Sequence, residues 1–235
     1  MAQRDDAERR KLIEAVERLE ARRPLIGDEA ADSAIAALRE KIRSLDAQEP
    51  SRRILTVMFA DVSGFTALSE TMDAEDLADL VNRLWSLVDG IIRSNGGSID
   101  KHIGDEVAAV WGAEGSREND PERAVRCALE IQSALAGFSS AEGRSIGMRI
   151  GINTGPVLLG EVASTREFTV MGDAVNLASR LQHAAPVGGV MISASTHALV
   201  RGLFETGPFL ELDIRGKKEP VQACTVIRPS PRSWR

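Results

Sequence analysis

Two aspartates carry the first chemical hint. Asp61 ends the run Ile54-Leu55-Thr56-Val57-Met58-Phe59-Ala60 and precedes Val62-Ser63-Gly64. Asp105 follows Gly104 in Ile103-Gly104-Asp105-Glu106. Each acid stands where a strand pattern meets a glycine turn. A carboxylate placed there, beside free backbone N–H groups, can hold a cation against phosphates. Mg2+ is typically held by one or two carboxylates plus substrate phosphates, so two such acids on adjacent strands would make a divalent-cation site. The plainer alternative for Asp61 is a cap on the helix that follows. Three more polar residues stand out by position. Arg149 lies inside an apolar strand pattern, and Asn176 and Arg180, four apart in a helical pattern, fall on one face.

The elements that must hold these residues can be read from apolar spacing. The β-branched run before Asp61 is a buried strand. Leu77, Leu80, Val81, Leu84, Leu87, Val88 and Ile91 form one helical face, ended by Asn95-Gly96-Gly97. Residues 98–102 and 107–111 flank Gly104-Asp105 and predict a β-hairpin with Asp105 at its tip. Asp120-Pro121 opens a helix with Ala124, Val125, Ala128, Leu129, Ile131 and Leu135 on its core side. Residues 145–153 read as a strand, Thr154-Gly155-Pro156 as a turn, and 157–162 as a returning strand. A short strand over 167–171 runs into Gly172-Asp173 and a helix over 174–183. Residues 190–193 form a strand, and 204–227 a hairpin around Gly216-Lys217-Lys218-Glu219-Pro220.

The N-terminal part, residues 1–48, is helical and the least globular. Leu12, Val16 and Leu19 mark one piece, and Pro24 and Gly27 separate it from a second, which Asp28 could cap. That second piece reads Ile35, Leu38, Ile42, Leu45, the spacing of a coiled-coil seam, and predicts dimerisation or signal transmission. Pro50-Ser51-Arg52-Arg53 marks the boundary to a domain over 52–228, and residues 229–235 form a tail. The 235 residues suffice for one domain and an extension, and 43% hydrophobic content supports a packed core. A net charge of −6 argues against a general nucleic-acid binder. No apolar run approaches the roughly 20 residues of a membrane span. The charged residues at 1–10 show no secretory pattern, so the cytoplasm is the expected compartment. Cys127 in a helix pattern and Cys224 in a strand pattern read as two reduced core thiols.

Four stretches in order resemble one family. They are Phe59-Ala60-Asp61-Val62-Ser63-Gly64-Phe65-Thr66, Lys101-His102-Ile103-Gly104-Asp105-Glu106, Arg149-Ile150-Gly151-Ile152-Asn153-Thr154-Gly155, and Val170-Met171-Gly172-Asp173-Ala174-Val175-Asn176-Leu177-Ala178-Ser179-Arg180-Leu181. Together they are similar to the catalytic domain of class III adenylyl cyclases, over residues 52–228. The resemblance implies an α+β fold, a ferredoxin-like antiparallel sheet with covering helices. It implies conversion of ATP to 3′,5′-cyclic AMP and pyrophosphate in a head-to-tail homodimer with interfacial sites. Two divalent cations, Mg2+ or Mn2+, would be held by Asp61, Asp105 and the carbonyl of Val62. Arg149, Phe65 and Thr66 would serve the substrate from the same chain. The partner would supply Lys101 and Thr169 to adenine, and Asn176 and Arg180 to the ribose and the reacting phosphate. Lys217 or Lys218 would reach the terminal phosphates.

One position departs from the commonest family pattern. Thr169 stands where many members place an aspartate facing the adenine amino group. A hydroxyl can still accept from that amine. This Lys/Thr combination resembles bacterial and soluble cyclases often stimulated by bicarbonate. Lys101 speaks for adenine, because an ammonium can donate to a ring nitrogen that carries a proton in guanine. Two rivals fit less well. A diguanylate cyclase would carry a contiguous Gly-Gly-Asp/Glu-Glu-Phe hairpin, which is missing. A degenerate, dimerising regulator would usually have lost a metal acid or the arginine.

Overall fold

Strand β1, Ser51–Ser63, is the axis of the fold. Leu55 to Ala60 are all buried, so β-branched and apolar side chains fill both faces of its middle. The computed structural model describes residues 11–12, 14–20, 31, 34–35, 37–38, 51–65, 70, 72–113, 115–161, 168–214 and 219–231.

After β1 comes helix α1, Ala74–Ser94, then β2, Ser98–Ile103, and β3, Glu106–Trp111. Helix α2, Asp120–Glu142, leads to β4, Gly147–Glu161, and the short β5, Phe168–Met171. Helix α3, Asp173–Ala184, is followed by β6, Val190–Ser193, and a six-residue helix α4, Ala194–Leu199. Strands β7, Phe204–Thr206, β8, Leu210–Leu212, and β9, Val221–Pro229, close the order. One sheet runs β2-β3-β1-β4-β6-β9-β7, with β5 on β4 and β8 on β9. Its first half, β1-α1-β2-β3-α2-β4 in the spatial order β2-β3-β1-β4, is the ferredoxin-like arrangement.

The sheet is not purely antiparallel as expected. Strand β6 pairs parallel to β4, Ile150 opposite Val190. A parallel neighbour requires a crossover, and α3 supplies it.

Helix α1 forms where its signals are strongest. The Asp73 carboxylate accepts from the Glu75 N–H at 3.1 Å, Glu75 and Asp76 sit in the first turn, and Arg93 sits in the last. Gly96, at φ 70°, terminates it. Its inward face, Leu80, Leu84, Val88 and Ile91, joins Ala124, Val125, Ala128, Ile131 and Leu135 of α2 in the core. Each such Leu or Ile contributes about 1.5–3 kcal/mol by leaving water. Trp111 is fully buried at the end of β3, and its indole N–H donates to the Asn95 carbonyl at 3.0 Å. Cys127 and Cys224 are buried free thiols, and burial pushes the Cys127 thiol up to about 12.

The expected turn at Thr154-Gly155-Pro156 does not occur, and β4 runs straight through it. Its polar groups are held where they lie. The Thr154 hydroxyl is 3.0 Å from that of Thr56 and accepts from Thr196 Oγ1 at 3.1 Å. The Thr154 carbonyl accepts from Ser195 Oγ at 3.0 Å. These partners on β1 and α4 override the local turn preference of Gly-Pro. Helix α4 itself was not expected from the sequence.

The chain forms two compact units, Met1–Arg52 with Leu158–Thr169, and Arg53–Val157 with Val170–Arg235. In the first, residues 14–20 are helical, with Val16 and Leu19 half-buried, and Ala31 and Ile35 are buried. Asp28, Ile42 and Leu45, on which the coiled-coil expectation leans, lie outside the described residues. Among the described residues, no helix is long and apolar enough to cross a membrane.

Candidate active site

Asp61 sits inside β1 rather than beyond its end, because the β1–β3 ladder continues as far as Asp61 opposite Glu106. The hairpin predicted around Gly104-Asp105 is present, with Gly104 at φ 64°. Glycine takes that left-handed angle at no steric cost. The Val62 N–H donates to the Asp105 carbonyl at 3.0 Å. That bond ties the tip of the hairpin to β1 and brings the second acid beside the first.

Three acids therefore crowd one end of the sheet. Directly opposed residues share a face with Cβ atoms about 4.5–5.5 Å apart, so Glu106 looks across at Asp61. Burial, and then the Asp105 charge, push the Asp61 carboxyl above its ordinary value. His183, Arg149 and a hydrogen bond from Gln182 oppose that rise. Burial also raises Glu106, against His183 and with added repulsion from Asp61 and Asp105. Sequence inspection missed Glu106, Gln182 and His183. Glu106 alone had a signal, as the residue next to Asp105.

Orphaned polar atoms collect at the same place. Four buried side-chain atoms lack a hydrogen-bond partner among the described residues: Ser63 Oγ, Arg149 Nε, Gln182 Oε1 and Asp89 Oδ1. Asp89 Oδ1 faces His102 Nε2 at 3.2 Å. The other three surround Asp61. Ser63 is two residues along the strand and on the same face, and Arg149 and Gln182 both act on the Asp61 carboxyl. Buried polar groups are normally satisfied, so such a cluster asks for a ligand. A divalent cation fits. Opposed acids with raised pKa are relieved by a positive charge, and hard carboxylate oxygens are its preferred donors. Among the described residues no group of three His, Cys, Asp or Glu could hold a metal ion, so further oxygens must come from the bound ligand.

Lys101 lies on β2, where the register slips between Ile99 and Lys101. Such a bulge re-aims side chains. The Lys101 side chain is 42% exposed, and its Nζ sits 3.2 Å from Asp100 Oδ2. Strand β2 is anchored to α1 by His102, whose ring packs edge-on against Trp85 at 4.7 Å.

Helix α3 carries the remaining expected groups. Asn176 is exposed and Arg180 half-exposed. Gln182, in contrast, is 1% exposed and turned toward Asp61. At 3.6 residues per turn, two residues are separated by about 200° around the axis. Arg180 thus faces away from the acid that Gln182 touches. The charges acting on Asp61 are those of Asp105, His183 and Arg149; Lys101 and Arg180 are not among them. One chain brings together Asp61, Val62, Asp105 and Arg149, and leaves Lys101, Asn176 and Arg180 on other faces. Phe65 packs against the core. Thr66, Lys217, Lys218 and the Thr169 side chain lie outside the described residues.

A fold and acid pair of this kind define a class. A family profile for the adenylate and guanylate cyclase catalytic domain matches residues 47–226. The chain belongs to that family. Adenylate cyclase 1 of Rhizobium meliloti is 34% identical over 151 residues, covering 61% of this chain and 23% of that protein. The crystal structure of the adenylyl cyclase CyaB from P. aeruginosa superposes with a TM-score of 0.74 at 34% identity, over 78% of this chain and 98% of that one. That of the guanylyl cyclase Cya2 superposes at 0.73 and 30% identity, over 77% and 95%. The chain spans less than half the length of the curated adenylate cyclases it matches.

Proposed function

We propose that this chain is an adenylyl cyclase, closing ATP to 3′,5′-cyclic AMP and pyrophosphate in a homodimer with interfacial sites. The observation that carries this proposal is the division of residues in a single chain. The acids and Arg149 converge, while Lys101, Asn176 and Arg180 point elsewhere. A head-to-tail pair would bring the second set over the first.

In the reaction the ribose 3′ oxygen attacks the α-phosphorus. The bond to the bridging oxygen of the β-phosphate breaks, pyrophosphate leaves, and the 3′ proton passes to solvent. Positioning and charge neutralisation do most of this work. Asp61, Asp105 and the Val62 carbonyl would hold two divalent cations, which supply Lewis acidity toward the 3′ oxygen and the triphosphate. Arg149 would bind phosphate with a guanidinium whose buried Nε still lacks a partner. Arg180 of the partner subunit would stabilise charge on the transferring phosphate with its planar fork. Asn176 of the partner subunit would orient the ribose. Lys101 and Thr169 would read the adenine edge, as in the Lys/Thr subgroup, and Phe65, Thr66 and Lys217 would complete the nucleotide site. Residues 1–48 would set dimerisation or transmit a signal.

Both adenylyl and guanylyl cyclases appear among the relatives, so base choice rests on Lys101. The deciding experiment is cyclic-nucleotide production from ATP and from GTP with Mg2+ or Mn2+, at several protein concentrations. Preference for ATP and specific activity rising with concentration are expected. Equal turnover of GTP refutes the base choice, and no turnover of either refutes the enzyme.

A further inference from the structure

Gln182 is the least expected residue at the acid cluster. Its side chain is essentially sealed from solvent, at 1% exposed, on the inward face of α3. Its amide donates a hydrogen bond to the Asp61 carboxyl, and its Oε1 is buried with no partner. An amide buried half-satisfied is costly, and an apolar side chain of equal length would avoid that cost. Something other than stability therefore accounts for glutamine here.

The backbone around it points the same way. Gly151 of β4 lies directly under α3. A Cβ added there would fall 2.1 Å from the Gln182 nitrogen and 2.4 Å from the Ala178 carbonyl oxygen. Only the absence of a side chain lets the helix approach so closely. That approach seats Gln182 at the acids. The glutamine is held by packing on a rigid helix over a rigid strand, which is what a group that must fix another's geometry needs.

We infer that Gln182 is a positioning residue for the cation site: its Nε2–H fixes the orientation of the Asp61 carboxylate, and its Oε1 is the acceptor for a water bound to the cation. The inference rests on the reading of Asp61 as a cation ligand. Partners that orient a ligating carboxylate typically matter 10–100-fold for metal affinity.

The test uses the full chain and Mn2+ alone, with free Mn2+ counted by its electron paramagnetic resonance signal. Gln182→Met keeps length and volume and removes both polar atoms. Expected is a Mn2+ dissociation constant raised about 10-fold or more, with a thermal midpoint in metal-free buffer that is unchanged or higher. In turnover assays kcat should fall while KM for the nucleotide moves little. Gln182→Leu serves as a second variant should methionine not fold, and Gln182→Asn, too short to reach Asp61, should bind Mn2+ as weakly as methionine. Mn2+ affinity within twofold of wild type in any folded variant overturns the inference. So does a loss of affinity that only tracks a loss of thermal stability. Asp61→Asn separates the two levels. If it abolishes Mn2+ binding while Gln182→Met does not, only the role of Gln182 fails. If Asp61→Asn also binds normally, the cation site itself fails, and the inference with it.

Discussion

Two dead variants should make a live enzyme. Asp61 and Arg180 are assigned to the same site from different chains, because Arg180 faces about 200° away from Gln182 on a helix whose inner face touches Asp61. Arg180→Ala should lower kcat on the order of 10³-fold, about 4 kcal/mol of transition-state stabilisation, by comparison with other arginines that neutralise a transferring phosphoryl group. Asp61→Ala removes one of only two cation-binding acids and should be at least as damaging. Mixed together, the two variants form a dimer in which one site carries both defects and the other carries neither. Random pairing makes about half of the dimers mixed, each with one intact site of two, so recovery should approach about one quarter of wild-type activity. The assay is pyrophosphate release after co-incubation under conditions where subunits exchange, at rising protein concentration. The control places both substitutions in one chain and mixes it with wild type. Every site of that mixed dimer then has one defect, and nothing should be gained beyond the wild-type dimers. Recovery of nothing from the two single variants, with exchange demonstrated, refutes the interfacial site.

Other outcomes follow from the same geometry. Asp61 and Glu106 hold protons more tightly folded than unfolded, so stability is greatest below the ordinary carboxylate range and is lost as pH rises through the raised values. Thermal midpoints of the metal-free protein should fall between about pH 4 and pH 7, Asp61→Asn should flatten the slope, and Mn2+ should raise the midpoint at neutral pH; a flat wild-type profile would count against the crowded acids. Lys101→Glu with Thr169→Cys should move preference from ATP toward GTP by reversing the hydrogen-bonding pattern offered to the base, and unchanged selectivity in folded variants sinks that assignment. Gly151→Ala should destabilise by about 1–3 kcal/mol or prevent folding, since the atoms it meets are helix backbone; an unchanged urea midpoint would show that α3 is free to move.

Much of the frame was legible because its periodicities are clean. The apolar face of α1 and the two-residue turn at Gly104-Asp105 were read correctly, since cap, stop and turn chemistry all agreed locally. The error at Thr154-Gly155-Pro156 has a physical cause. Turn propensity is local, whereas the bonds holding Thr154 straight come from Thr56, Ser195 and Thr196, distant in sequence. The same limit hid part of the site. Asp61 and Asp105 announced themselves by their turns, but Glu106 matters through its register against Asp61, and register between β1 and β3 cannot be counted across an intervening helix. Gln182 looked like one more polar residue near a helix end. Its burial depends on Gly151, a contact that no spacing rule encodes.

Helix α3 has one further consequence. Its inner face grips the acid of its own chain, and its outer face offers Asn176 and Arg180 to a neighbour. In a head-to-tail pair, each site is therefore built partly on the helix that braces the other. A rigid helix cannot tilt toward one without changing its grip on the second. Nucleotide binding at either site must then alter affinity at its twin, and by linkage the effect is equal in both directions. Crosstalk between the sites would be a property of twelve residues, Asp173–Ala184, without any dedicated regulatory domain.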